Sequence, residues 1–187
     1  MNIVIIGSGG REHALCYKLL KSSKINKIYC IPGNAGTDEI ATNIFADIND
    51  FDEIYKIVLK LNVELIVVGP EIPLVNGIVD YFEKKNIKIF GPNKKCSQLE
   101  GSKFFMKNIC KKYNIPSAKY FEISDINQIE KFLSGVSFPV VVKSDGLAAG
   151  KGVTICNNLD EVIKDVQEIL DGKLSLIHIW RCRRSPM

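Results

Sequence analysis

The chain has few of the side chains that metal centres and nucleic-acid readers rely on. It has 2 histidines, and its 6 cysteines, at positions 16, 30, 96, 110, 156 and 182, include no Cys-x-x-Cys pair, which argues against a zinc site. Without an export signal the cysteines read as mostly buried thiols of a reducing compartment rather than a disulfide set. Outside the last residues the chain lacks the clustered arginines and aromatic platforms that nucleic acid demands. No apolar run approaches the roughly 20 residues needed to span a bilayer. The opening run to Ile6 is too short for a signal peptide's apolar region and has no basic start. These absences predict a cytoplasmic protein whose partners are small molecules, with neither nucleic acid nor membrane among them; a monomer is expected, although no sequence feature fixes the oligomeric state.

What is present is a hydrophobic content of 46% in 187 residues, enough for one buried core and part of a second. The net charge of +4 is concentrated at the end of the chain, because Arg181, Arg183 and Arg184 join only Arg11 among the arginines. Without residues 174–187, Lys+Arg falls from 25 to 22 against 21 acids, so the charge falls to +1. The stretch Leu174 to Arg184 also holds the sole tryptophan, Trp180, and looks like a translated transposon-end adapter from library preparation, with a TGA codon read as tryptophan. Residues 174–187 are therefore set aside as a non-native tail when predicting the fold.

Up to residue 91, buried-strand runs alternate with helical stretches, the pattern of stacked βαβ units around a parallel sheet. Strands are predicted at 2–6, 27–31, 65–68 and 87–90, and helices at 11–21, 51–61 and 74–85. Each strand ends in a Gly or Pro turn, and ligands of open α/β sheets bind at such carboxyl ends. Residues 92–117 read as a helical linker that begins a second domain. Residues 118–173 read as a β-α-β-β-α unit that stops before it is finished.

Two glycine-rich turns carry the chemistry. The first, Gly7-Ser8-Gly9-Gly10, joins a strand to a helix, where backbone N–H groups can face an anion. It fails the dinucleotide fingerprint, because the third small residue is replaced by Glu12 and the next strand ends in Ile31-Pro32-Gly33 with no acid for a ribose. A smaller phosphate suits it better, with Gly9 and Gly10 permitting close approach and Arg11 offering a planar charged fork. A tight turn with no ligand is the other reading. Asn34, in Pro32 to Thr37, and Gly69-Pro70-Glu71 end the second and third strands and border the same crevice. Glu71 is read either as pointing inward to accept hydrogen bonds from a ligand amine or hydroxyl, or as simply solvated, which is common for a Glu after Gly-Pro.

The second turn, Gly146 to Gly152, is one residue short of a P-loop, has Gly152 where a Ser or Thr would hold magnesium, and is followed by a strand. It reads as a hairpin flap whose amides and Lys151 close over nucleotide phosphates, with Lys143 presenting a point charge at a strand end. Lys103, Lys107 and Lys111 form an i, i+4 stripe of the kind that usually faces solvent.

Five motifs taken in order resemble the glycinamide ribonucleotide synthetases, the phosphoribosylamine-glycine ligases of purine biosynthesis. They are Gly7 to Ala14, Pro32 to Thr37, Val68 to Glu71, Leu99 to Lys103 and Val141 to Val153. The resemblance implies a parallel-sheet, Rossmann-like pre-ATP-grasp domain followed by an incomplete ATP-grasp domain with an α+β lid. It implies an ATP-dependent ligase that joins glycine to phosphoribosylamine through a glycyl phosphate, with Mg2+ or Mn2+ as metal. By matching position, Lys103, Lys143, Asp145, Gly146, Gly150, Lys151 and Gly152 would serve ATP. Gly9, Gly10, Arg11, Asn34, Gly69, Pro70 and Glu71 would serve phosphoribosylamine. Ser144 departs from the small apolar residue usual there. The family's metal ligands and catalytic groups would lie beyond residue 173, so no turnover is expected of this chain. A dinucleotide-binding module without ligase activity is the alternative.

Overall fold

A computed structural model of the chain describes residues 1–147 and 152–171, together with the backbone of 177–181. It divides into two compact units, Met1–Ser97 and Gln98–Met187. The division falls later than the predicted boundary after residue 91.

The first unit is a five-stranded parallel sheet in the order β3-β2-β1-β4-β5. Its strands are β1 (Asn2–Gly7), β2 (Lys27–Pro32), β3 (Thr42–Asn43), β4 (Leu65–Val68) and β5 (Ile89–Phe90). The period-2 alternation of β1 splits its side chains between two cores. Val4 and Ile6 pack on one face with Ile54 and Val58 of α3 (Phe51–Lys60) and Ile78, Val79 and Phe82 of α5 (Ile78–Glu83). Ile3 and Ile5 pack on the other with Cys16 of α1 (Gly10–Leu19), beside Ile28 and Cys30. Each such apolar side chain contributes about 1.5–3 kcal/mol, and the sheet is covered on both faces as parallel sheets require. The Cys16 and Cys30 sulfurs lie 3.1 Å apart as free thiols, and burial pushes Cys30 up to about 12. Cys156 is buried as well, but Cys96 is exposed and Cys110 half-buried, so the expectation of mostly buried thiols holds for three of these five.

Two elements differ from the sequence reading. The predicted helix over 74–85 is two helices, α4 (Glu71–Asn76) and α5, broken at Gly77. Gly77 sits at φ +98°, and its N–H donates to the carbonyls of Pro73 and Leu74. The short strand β3 carries no periodic signal, and it is joined to β2 through Tyr29–Thr42 and Cys30–Asn43 pairs. Between them in sequence lies α2 (Ala35–Asp38).

The second unit contains α7 (Lys103–Lys112), which follows α6 (Lys94–Gly101), and a four-stranded antiparallel sheet. The sheet order is β6-β9-β7-β8, from β6 (Tyr120–Ile123), β7 (Val140–Ser144), β8 (Val153–Cys156) and β9 (Ile177–Arg181). A 3-10 turn (Ile126–Gln128) and α8 (Ile129–Leu133) lead from β6 towards β7. Helix α9 (Leu159–Asp171) buries Val162, Val166 and Ile169, one stripe at helical spacing, against Val140, Val142 and Ile123. Here the structure adds what the reading set aside: backbone from the excluded tail forms β9, with Ile179 paired to Phe121 on one side and Val142 on the other. Lys107 departs from the solvated stripe too. It is 1% exposed, its Nζ donates to Ala118 O at 3.0 Å, and it lies over the Tyr120 ring.

Candidate functional site

At the carboxyl ends of β1, β2 and β4, three chain segments expected to share a crevice are tied together by their own side chains. Asn34, the residue before α2, accepts from Thr37 N–H at 2.9 Å and donates through Nδ2 to Ser8 O at 2.8 Å. Its side chain thus braces the end of β2 against the first glycine turn. Fully buried Thr37 and the side chain of Asn43 complete this brace, both meeting Asn34 backbone. Arg11 reaches across from α1 and donates from its guanidinium to Glu71 Oε1 at 3.0 Å, where α4 begins. The Arg11 bond holds the Glu71 carboxyl below its usual range, helped by its own backbone amide.

The buried carboxylate of this crevice is one the sequence reading missed. Glu12 is 3% exposed, and its oxygens accept from Gly9 N–H at 2.6 Å and from Arg11 Nε at 3.0 Å. Three glycines make room for it. A Cβ on Gly9 would stand 2.8 Å from Glu12 Oε2, one on Gly7 2.7 Å from its Cγ, and one on Gly69 would overlap the carboxylate. The amide of Gly9, expected to serve phosphoribosylamine, is engaged within the protein in this structure. Its N–H does face an anion, but that anion is the protein's own side chain, because an acid in the first helical turn can fold back onto the end of its own helix. Gly10 has open space where a Cβ would project. The signal available in the sequence was the acid itself, in a chain with glycines at the ends of two predicted strands, Gly7 and Gly69.

The second turn is held from its base. Asp145, directly after β7, accepts from Ser102 Oγ at 2.9 Å and from the N–H groups of Lys103 at 2.6 Å and Phe104 at 3.3 Å. Burial alone would raise its carboxyl, but these bonds and the Gly146 amide outweigh that and hold it below the usual range. Asp145 therefore caps α7, with Ser102 as the residue before the helix accepting from Phe105 N–H. Lys103 Nζ donates to Gly146 O at 2.8 Å, which binds the other expected phosphate lysine to the flap. Lys143 stands in β7 opposite Val153 of β8, and Ser144 N–H closes the hairpin onto Gly152 O at 3.1 Å. Val140 to Lys143 pair antiparallel with Val153 to Cys156, so the strands on either side of the flap form the antiparallel pair that a hairpin reading predicts. Gly150 and Lys151 lie outside the described residues. Buried Ser144 leaves its hydroxyl without a hydrogen bond, which is where a small apolar residue was expected.

Comparison with known proteins matches the phosphoribosylglycinamide synthetase N domain to residues 1–100 and the ATP-grasp (A) domain of the same synthetase to residues 101–175. The chain belongs to the phosphoribosylglycinamide synthetase family. It is 43% identical over 171 residues to a phosphoribosylamine-glycine ligase of Caldanaerobacter subterraneus, covering 91% of this chain and 40% of that protein. A Clostridium acetobutylicum ligase of the same name is 45% identical over 177 residues, covering 92% and 42%. Among solved structures, the Thermotoga maritima phosphoribosylamine-glycine ligase superposes with a TM-score of 0.76 at 30% identity, over 97% of this chain and 44% of that one. The biotin carboxylase domain of a Hydrogenobacter thermophilus carboxylase, solved with MgADP, shares the fold at 16% identity and a TM-score of 0.79. The chain spans about two fifths of the length of these curated relatives. Among the described residues, no helix is long and apolar enough to cross a membrane.

Proposed function

We propose that this chain is the amino-terminal part of a phosphoribosylamine-glycine ligase. Its first unit holds phosphoribosylamine at the rim built by Gly10, Arg11, Asn34 and Gly69-Pro70-Glu71. Its second unit supplies the hairpin flap and the lysines, Lys103 and Lys143, that neutralise ATP phosphates. The whole enzyme would transfer the γ-phosphoryl group of ATP to the glycine carboxylate. The amine of phosphoribosylamine would then displace phosphate from the acyl carbon, giving the amide, ADP and phosphate. No protein nucleophile is needed, so catalysis rests on positioning and charge neutralisation. The magnesium ligands are assigned to the part of the relatives that this chain does not span.

The observation carrying this reading is the Arg11–Glu71 bond across the crevice, within a chain whose family is that of the ligases. It sets an acceptor at the rim where a ligand amine or hydroxyl can donate. Calorimetric titration of the chain with glycinamide ribonucleotide, the stable product, tests it against NAD+. Saturable heat with the ribonucleotide and none with NAD+ is expected. Micromolar NAD+ binding with no response to the ribonucleotide would establish the dinucleotide module instead.

A further inference from the structure

The first glycine turn has the sequence of an anion cradle, yet its cradle is filled. Glu12 leaves α1 in its first turn, folds back beneath Gly9 and takes that amide at 2.6 Å. Its other oxygen holds Arg11 Nε, whose guanidinium continues to Glu71. The carboxylate is 3% exposed and lies against Gly7 and Gly69 as well, so it is built into the ends of two strands.

We propose that Glu12 is a specificity-determining residue, an internal anion that keeps phosphate groups off the turn. The inference rests on the placement of phosphoribosylamine at this rim and fixes which end of it faces α1. An alternating chain of Glu12, Arg11 and Glu71 carries one net negative charge, which repels a phosphate dianion and favours hydrogen-bond donors. The ligand therefore meets α1 through its amine and hydroxyls, and its phosphate lies away from Gly9. The same plug rejects dinucleotides, because their pyrophosphate needs the very amide and the very space that Glu12 occupies.

The test follows the Gly9 amide by NMR in the 15N-labelled chain and its Glu12→Gln variant, each titrated with inorganic phosphate. In the unaltered chain the Gly9 amide stays unmoved at millimolar phosphate. In Glu12→Gln the charge is gone and Arg11 is released, and the amide shifts saturably, with phosphate affinity raised on the order of tenfold. A merely structural role for Glu12 would lower every affinity and raise none. Saturable movement of Gly9 in the unaltered chain overturns the proposal, as does a folded Glu12→Gln that gains no phosphate affinity. Should Glu12→Gln fail to fold, the unaltered chain alone decides by the same criterion. Glycinamide ribonucleotide is titrated in parallel. Silence at the amides of Arg11 and Glu71 removes the sugar-phosphate site itself, whatever phosphate does at Gly9.

Discussion

Single atoms decide most at Glu12 and Asp145. Gly69→Ala drives a methyl group into the Glu12 carboxylate, and the expected cost is about 1–3 kcal/mol in urea unfolding. Combined with Glu12→Ala the penalty shrinks, so a double-mutant cycle returns a coupling of at least about 0.5 kcal/mol. Glu71→Gln makes the opposite separation. Its ion pair with Arg11 is exposed on both sides, so stability stays within about 0.5 kcal/mol, while glycinamide ribonucleotide affinity falls roughly tenfold. Much of this was legible: the Arg11, Asn34 and Glu71 positions do converge on one rim. The role of Glu12 was not, because a spacing rule scores position 12 only as a missing glycine. The rule is blind to a side chain that turns back to satisfy its own helix end.

Among the elements, the broken helix at Gly77 and the capped helix α7 make separate claims. Gly77→Ala forces an alanine to φ +98°, and about 1–2 kcal/mol of destabilisation is expected in thermal unfolding. Asp145→Asn keeps an acceptor but loses the charge that three donors share, for a loss of about 1 kcal/mol or more in the second unit. Long periodic elements such as α3 and α9 were readable from apolar spacing alone, Ile54–Val58 and Val162–Val166–Ile169. The break at Gly77 was not, since the periodicity runs on through it, and two-residue β3 offers too little chain to show alternation. For the hairpin, β-branched residues on either side of a glycine-rich turn were sufficient.

For the whole chain, acid is the informative variable. Asp145 and Glu71 both titrate below their ordinary values of 3.8 and 4.5. Each therefore stabilises the fold above those values, and the contribution drains as pH falls through the lower folded values. Urea midpoints should be flat near neutrality and drop below about pH 4, with Asp145→Asn flattening the drop in the second unit. The two-unit organisation was readable because a parallel-sheet pattern gives way to helices and then to antiparallel signals, although residues 92–97 belong with the first unit. One of the two inner strands of the second sheet, β9, was left out of the sequence reading because residues 174–187 were set aside on composition, and backbone pairing takes no account of composition. The Asp145 cap has a consequence for exchange with solvent. Its carboxylate holds amides 41 and 42 residues earlier in the chain, so the first turn of α7 and the base of the hairpin should surrender their amide protons together rather than one after the other.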